Sequence, residues 1–361
     1  MDMSTVTTTF YTTSHEAWDA MLADLSQAKV SIDIEQYIFT PDSIGKKFIN
    51  LLREKAAQGV RIRLFLDTVG SYTFYRSPIA EELRAIGIAI KFFNPVSPWR
   101  ITNFTSNFFR DHRKIIIVDN VIGHVGGVGI DIDMENWRDT HLRVTGPLVL
   151  DLHNSFESVW NNLHKRLFTR FGRPHFLIRH YTFLTNSPSL RRSQRYIYQT
   201  LIANIRNAEK CIYLTTPYFI PDRRLFRVLR LAAKRGVDVR LILPSVADHY
   251  FVDHARESYF ALALKAGIKI SVYKPVMMHA KTAVVDDVWA MAGSFNLDSL
   301  SFIFNHEASI ASTDAHFIST LKEHFLRDLD YCEDIIYEKW IYRPLRKKFL
   351  ELLTWPFHGL M

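Results

Sequence analysis

Two stretches of the chain share one pattern of apolar and polar positions. A β-rich run from Val30 to Phe39 leads into Pro41-Asp42, and a similar run from Cys211 to Ile220 leads into Pro221-Asp222. After each Pro-Asp pair the apolar residues take helical spacing, as in FINLLREKAA and LFRVLRLAAK, until Gly59 or Gly236 offers a helix C-cap. A second apolar run follows, RIRLFLD in one case and DVRLILP in the other. The pattern predicts a β-α-β unit, met twice.

A second repeat lies downstream of each unit. HRKIIIVDN (112–120) and HAKTAVVDD (279–287) are both rich in β-branched and small apolar residues and end in Asp-Asn or Asp-Asp, so both are expected to be strands that start at the histidine. Side chains alternate along a strand, so His112 and Lys114 share a face, as do His279 and Lys281. Asp119 and Asp286 have the opposite parity and are expected to act structurally at the strand end. Gly126 and Gly293 both lie 14 residues after their histidine, and Asp131 and Asp298 both lie 19 after. Asp139 and Glu307 follow at 27 and 28. These offsets imply an internal duplication into two similar α/β lobes, 1–180 and 181–361, with the boundary in the Gly/Pro/Ser-containing stretch around 172–192.

With 361 residues, 48% of them apolar, the chain can bury a large core. Its formal net charge of +8 suits a phosphate-bearing partner: nucleic acid, an anionic membrane or a small phosphorylated substrate. The stretch 158–208 contains no Asp or Glu and nine Lys and Arg. Two cysteines, Cys211 and Cys332, form no disulfide framework and fit a reducing compartment. The first residues lack the basic and apolar regions of a signal peptide, and no apolar run reaches the roughly 18–20 residues of a membrane span. The tail, EKWIYRPLRKKFLELLTWPFHGLM, reads either as an interfacial amphipathic helix or as a helix docked on the core. Residues 94–112 read as a polar, aromatic loop leading to His112. His249 and His254, flanked by Asp248 and Asp253, lack convincing metal spacing, and no metal site is expected.

Two histidines and two lysines converging on one point suit a phosphate. The lysines supply fixed positive charge to phosphoryl oxygens. One imidazole can attack phosphorus, and the other can protonate the leaving oxygen and then deprotonate the incoming nucleophile. Each histidine needs an orienting partner on its second nitrogen, and Asp139 and Glu307 occupy equivalent places for that role. In a two-fold arrangement each carboxylate could serve the other lobe's histidine.

At these residues the chain resembles the phospholipase D superfamily, with two HxKxxxxD motifs in one polypeptide, and is most similar to its bacterial cardiolipin synthases. DHRKIIIVDN…HVGGVGIDID…WRDTHLRVTGP is similar to their first motif region, MHAKTAVVDDVWAMAGSFNLDSLSFIFNHEA to their second, and TTPYFIPD to the segment before it. The resemblance implies two lobes of mixed β-sheet flanked by helices, related by pseudo-two-fold symmetry around one central site. It implies a phosphohistidine intermediate without metal or other cofactor, with His112 as nucleophile and Lys114, Lys281 and Asn296 on the phosphate. It further implies that the small residues Gly126, Gly127, Gly293 and Ser294 let phosphate approach the backbone. Gly129 stands where the second half has Asn296. Many of these synthases carry N-terminal transmembrane helices, which this sequence does not show.

The expected activity is phosphatidyl transfer between phospholipids, at the cytoplasmic face of the membrane or in the cytoplasm. The expected partners are an anionic phospholipid substrate and the membrane surface, and the two motifs in one chain make an oligomer unnecessary for the site. Hydrolysis, with water as acceptor, uses the same histidines and stays open. A phosphodiesterase acting on nucleic acid is the third reading.

Overall fold

The structure, a computed structural model, describes residues 5–96, 109–162, 180–187, 195–246, 250–346 and 348. Most of the expected loop before His112, the heart of the basic middle stretch with the inferred boundary, His249 and most of the tail lie outside these residues.

The first half supplies strands β1 (Thr7–Thr13), β2 (Ser31–Gln36), β3 (Arg61–Asp67), β4 (Ala89–Phe93), β5 (Arg110–Asp111), β6 (Ile115–Val118), β7 (Ile122–Gly126) and β8 (Arg138–Thr145). The second supplies β9 (Tyr181–Asn186), β10 (Cys211–Thr215), β11 (Asp238–Pro244), β12 (Lys269–Tyr273), β13 (Thr282–Val285), β14 (Trp289–Gly293), β15 (Asn305–Ser312) and β16 (Cys332–Asp334). One sheet has the order β1-β8-β7-β6-β2-β3-β4. The other has the order β9-β15-β14-β13-β10-β11-β12, extended by β16 on β12 and by β5 on β15. In both, three parallel strands meet an antiparallel meander: β2-β3-β4 beside β6, and β10-β11-β12 beside β13. The duplication inferred from residue offsets is therefore a duplication of topology.

The β-α-β units follow the sequence pattern, with shorter strands. β2 and β10 end at Gln36 and Thr215, short of Phe39 and Ile220. Beyond those points the backbone leaves its strand neighbours and bridges to the loops that follow β7 and β14, through Phe39–Ile130 and Phe219–Leu297. Asp42 caps helix 43–57 by accepting from Ile44 N and Gly45 N, and Asp222 caps helix 223–234 by accepting from Leu225 N. Gly59 and Gly236 end these helices at φ +84° and +91°, a conformation that costs glycine little.

Each sheet buries its own core, and a third apolar cluster is common to both. It joins Phe65, Ile115, Val125 and Leu142 of the first lobe to Val284, Ala292, Ile310 and Phe317 of the second. The two sheets thus pack across one interior, where β7 and β8 meet β14 and β15.

Candidate active site

The histidines do not lie within the sheets as expected. β6 and β13 begin only at Ile115 and Thr282, and residues 112–114 and 279–281 are lead-ins outside the ladders. The reason is that their amides bond to the opposite lobe: His112 N donates to His306 O (3.0 Å), and His279 N and Ala280 N donate to Arg138 O (2.7 and 3.2 Å). His306 and Arg138 each precede an expected orienting carboxylate.

The side chains cross in the same sense. His112 Nδ1 lies 3.0 and 3.1 Å from the two carboxylate oxygens of Glu307, on β15. His279 Nδ1 lies 2.6 Å from Asp139 Oδ2, on β8. Each histidine therefore rests on a carboxylate of the other lobe, which leaves its Nε2 for chemistry. Lys114 Nζ donates to His112 O (2.7 Å), and Lys281 Nζ donates to His279 O. All six side chains are buried.

His112, Lys114, His279, Gly127 and Asn296 line one cavity of about 190 Å³ between the lobes. Among the described residues Asn296 Oδ1, buried there, has no hydrogen-bond partner, which suits a group that meets a ligand. Tyr37, Ile38, Met134, Trp137, Tyr218, Ile220, Asp298, Leu300 and Asn305 complete the lining, and the sequence reading assigned none of them a place in the site. Tyr37 stands edge-on to His112 and Trp137 edge-on to His279, each with ring centroids 4.9 Å apart. Only one signal pointed to them: Trp137 sits two residues before Asp139, and Tyr37 and Tyr218 sit just before the Pro-Asp turns.

The small residues allow close approaches: Gly127 lines the cavity and makes room for Asp139, and Gly126 and Gly293 let neighbouring strands come close. A Cβ at Gly127 would fall 2.1 Å from Asp139 Oδ1. At Gly126 it would meet β8 at His141 Cα (2.6 Å), and at Gly293 it would meet β15 at Ala308 O (2.3 Å). Ser294 is fully buried and its hydroxyl donates to Glu307 Oε2. Gly127 and Ser294 are repeat equivalents: one makes room for a carboxylate, the other hydrogen-bonds to one.

Asp119 and Asp286 stay apart from the cavity. Asp119 accepts from Lys29 N, Val30 N and Ser31 N at 2.7–2.8 Å, and Asp286 accepts from Glu209 N, Lys210 N and Cys211 N at 2.6–2.8 Å. His254 meets Glu257 at 3.7 Å. Among the described residues no group of three or more His, Cys, Asp or Glu could hold a metal ion.

Burial sets the protonation states. It holds His112 below the usual histidine value, with Lys114 and Lys281 adding to the effect against the pull of Glu307. Burial likewise brings Lys114 down to about 7, against Glu307. Burial would raise Asp139, but Lys281 and His279 outweigh it and hold the carboxyl below its usual range.

Residues 21–160 and 201–329 match the sequence model of a family described as "Cardiolipin synthase, PLD-like domain". The chain belongs to this family. It is 34% identical to a cardiolipin synthase of Listeria monocytogenes serotype 4b (strain CLIP80459), over 94% of this chain and 72% of that one. It is 34% identical to the major cardiolipin synthase ClsA of Bacillus subtilis (strain 168), over 92% and 71%. The fold is that of the phosphatidylserine synthase of Haemophilus influenzae Rd KW20, with a TM-score of 0.74 over 97% of this chain and 92% of that one, at 13% identity. As in the family, both motifs lie in one chain, and here both face one cavity.

Proposed function

We propose that the chain transfers a phosphatidyl group between phospholipids through a phosphohistidine on His112. The observation that carries this reading is the crossed pair of histidines, each oriented by the other lobe, on either side of one cavity. His112 donates Nδ1–H to Glu307, so its neutral Nε2 is free to attack phosphorus. A P–N bond forms and the P–O bond to the donor's headgroup alcohol breaks. His279 gives that oxygen a proton, then takes one from the hydroxyl of the acceptor lipid, whose oxygen displaces the imidazole and restores a P–O bond. One phosphodiester is exchanged for another, so no outside energy source is needed. Lys114, Lys281 and Asn296 hold the phosphoryl oxygens.

The division of roles follows from the surroundings. Glu307 also accepts from Ser294, from Ser301 Oγ (2.8 Å) and from Asn305 Nδ2 (3.4 Å), which spreads its charge and lessens its pull on His112. Asp139 accepts from Thr140 N and otherwise faces His279 at 2.6 Å, within the range of a charge-assisted bond, as suits the group that hands over a proton. Ile38, Met134, Trp137, Tyr218, Ile220 and Leu300 give the cavity a largely apolar wall, which favours a lipid hydroxyl over water as acceptor.

We place the site at a membrane surface, where its proposed lipid substrates lie; among the described residues no helix is long and apolar enough to cross a membrane. Two free cysteines, Cys211 and Cys332, support the cytoplasmic side. Mass spectrometry of products formed from phosphatidylglycerol vesicles tests the reading. Dimeric phospholipid plus glycerol is expected, whereas phosphatidic acid plus glycerol would mean hydrolysis. His112→Ala and His279→Ala should each cost at least about 10²-fold in turnover while keeping the thermal midpoint. Rapidly quenched enzyme should carry phosphatidyl mass on the His112 peptide; the same mass on the His279 peptide would reverse the roles.

A further inference from the structure

A second and larger cavity, of about 830 Å³, lies outside the catalytic centre. Its walls come from the helix at 223–234 and the end of the helix at 196–207, with Arg206, Arg223, Arg224, Arg227, Leu231 and Arg235 as main contributors. On the first of these helices Arg223, Arg227, Arg230 and Lys234 are exposed and recur every three or four residues, which puts them on one face. The opposite face, Leu225, Phe226, Val228, Leu229 and Ala232, is buried in the second lobe's core. The one acid of the groove, Asp222, is already engaged: it caps the helix and accepts from Tyr198 Oη.

Among the described residues none of Arg206, Arg223, Arg227, Arg230 and Lys234 meets a carboxylate. The repeat offers a control. In the equivalent helix of the first lobe, 43–57, Arg53 pairs with Glu82 (2.6 Å), and Lys55 is buried against Ala28 O and Gln58. That helix mixes its charge, Glu54 and the paired Arg53 standing beside Lys46 and Lys47, which are exposed and, among the described residues, meet no carboxylate. The second-lobe helix instead gathers unpaired guanidinium groups around a concave surface, a form that suits several phosphate groups at once.

We infer that this groove docks the enzyme on a bilayer bearing anionic phospholipids. Two observations favour a bilayer over a nucleic acid. Leu231, 45% exposed, offers an apolar contact among the arginines. Tyr198, the ring beneath Arg224, is buried, so it offers no platform for a base. The position also fits: the helix cap, Asp222, lies two residues after Ile220, which walls the catalytic cavity. The groove therefore begins next to a wall of the catalytic cavity. The inference rests on the phosphatidyl-transfer reading only for the identity of the lipid processed, not for the binding itself.

The test is vesicle flotation of the full chain carrying Arg223→Ala and Arg227→Ala together. A loss of roughly fivefold per arginine, or about twentyfold in partitioning onto phosphatidylglycerol vesicles, is expected. Lys46→Ala with Lys47→Ala, which removes the same charge from the first-lobe helix, should change partitioning less than about twofold. Thermal midpoints within a few degrees of wild type would show that both variants fold, and Arg227→Lys, which keeps the charge, should retain most of the binding. If the arginine pair binds like wild type, or if the two double variants lose binding equally, the groove is not the docking surface. If the arginine pair weakens binding of a single-stranded oligonucleotide but leaves vesicle partitioning unchanged, the partner is a nucleic acid and the inference falls. Product analysis on the same vesicles separates the two readings. Wild type that makes no dimeric phospholipid, yet loses binding with the arginine pair, would leave the docking surface standing without the proposed reaction.

Discussion

Lys114 is 2% exposed and sits in a cavity with a second lysine nearby, so its charge depends on what else is present. Burial lowers it to about 7, with Lys281 adding to the fall and Glu307 and Asp139 opposing it. In the free enzyme the ammonium is therefore present below about pH 7 and lost above it. A bound phosphodiester is an anion beside that nitrogen and raises its pKa again, so substrate binding and proton uptake are coupled. Burial also lowers His112 below the usual histidine value, which favours its neutral, nucleophilic form. With a monomeric short-chain substrate, kcat/KM should fall as pH rises through about 7, while kcat should hold to higher pH, because the first reports free enzyme and the second the complex. Lys114→Arg, whose charge does not titrate in this range, should push the alkaline limb of kcat/KM upward even if it slows the reaction. A kcat/KM flat from pH 7 to 9 would contradict the coupling. Spacing alone paired His112 with Lys114 and His279 with Lys281, and His112, Lys114 and His279 line one cavity. Tyr37 and Trp137 were not legible from spacing: Tyr37 reaches His112 only through the fold of its own lobe, and Trp137 reaches His279 only when the lobes meet.

At the scale of the element, the two motif aspartates act as latches. Asp119 and Asn120 have φ of +51° and +56°, and Asp286 and Asp287 have +53° and +57°. Two successive left-handed residues make the tight turn that suits a hairpin's twist, here between β6 and β7 and between β13 and β14. From that turn each motif aspartate accepts three backbone N–H groups at the start of the neighbouring β2 or β10, tying the hairpin to the parallel half of its sheet. Burial raises the Asp119 carboxyl, but these donors outweigh it and hold it below its usual range. Asp119→Ala removes three acceptor contacts and puts alanine in a left-handed conformation, so a loss of about 2–4 kcal/mol is expected, read by denaturant unfolding. A loss below about 1 kcal/mol would mean the latch is not a stability element. Alternation along a strand was enough to separate these aspartates from the histidines. The same reasoning failed at residues 112–114 and 279–281, because it assumed pairing within one sheet, whereas those amides bond across lobes.

At the scale of the molecule, the crossed carboxylates make the two lobes chemically incomplete alone. His112 has its partner on β15, and His279 has its partner on β8. Arg138, whose carbonyl receives His279 N, is itself held by a two-pronged pair with Asp328 of the second lobe, at 2.9 and 2.7 Å. Around these polar contacts lies the shared apolar cluster, so separating the lobes would expose Ile115, Val125, Ile310 and Phe317 together with the unpaired histidines. Half-chains 1–180 and 181–361 follow the repeat, since β9 opens the second set of strands at Tyr181. Each half expressed alone should show no turnover and should tend to aggregate through the uncovered face. Co-expressed halves should associate and recover activity, because every contact that orients a histidine is non-covalent. A sharper form of the test pairs the half bearing His112→Ala with an intact second half, and the half bearing His279→Ala with an intact first half; neither combination should turn over, while the wild-type pair should. Full activity from a single isolated half would show that a histidine and a carboxylate of the same lobe suffice, and the crossed geometry would then not be the working one.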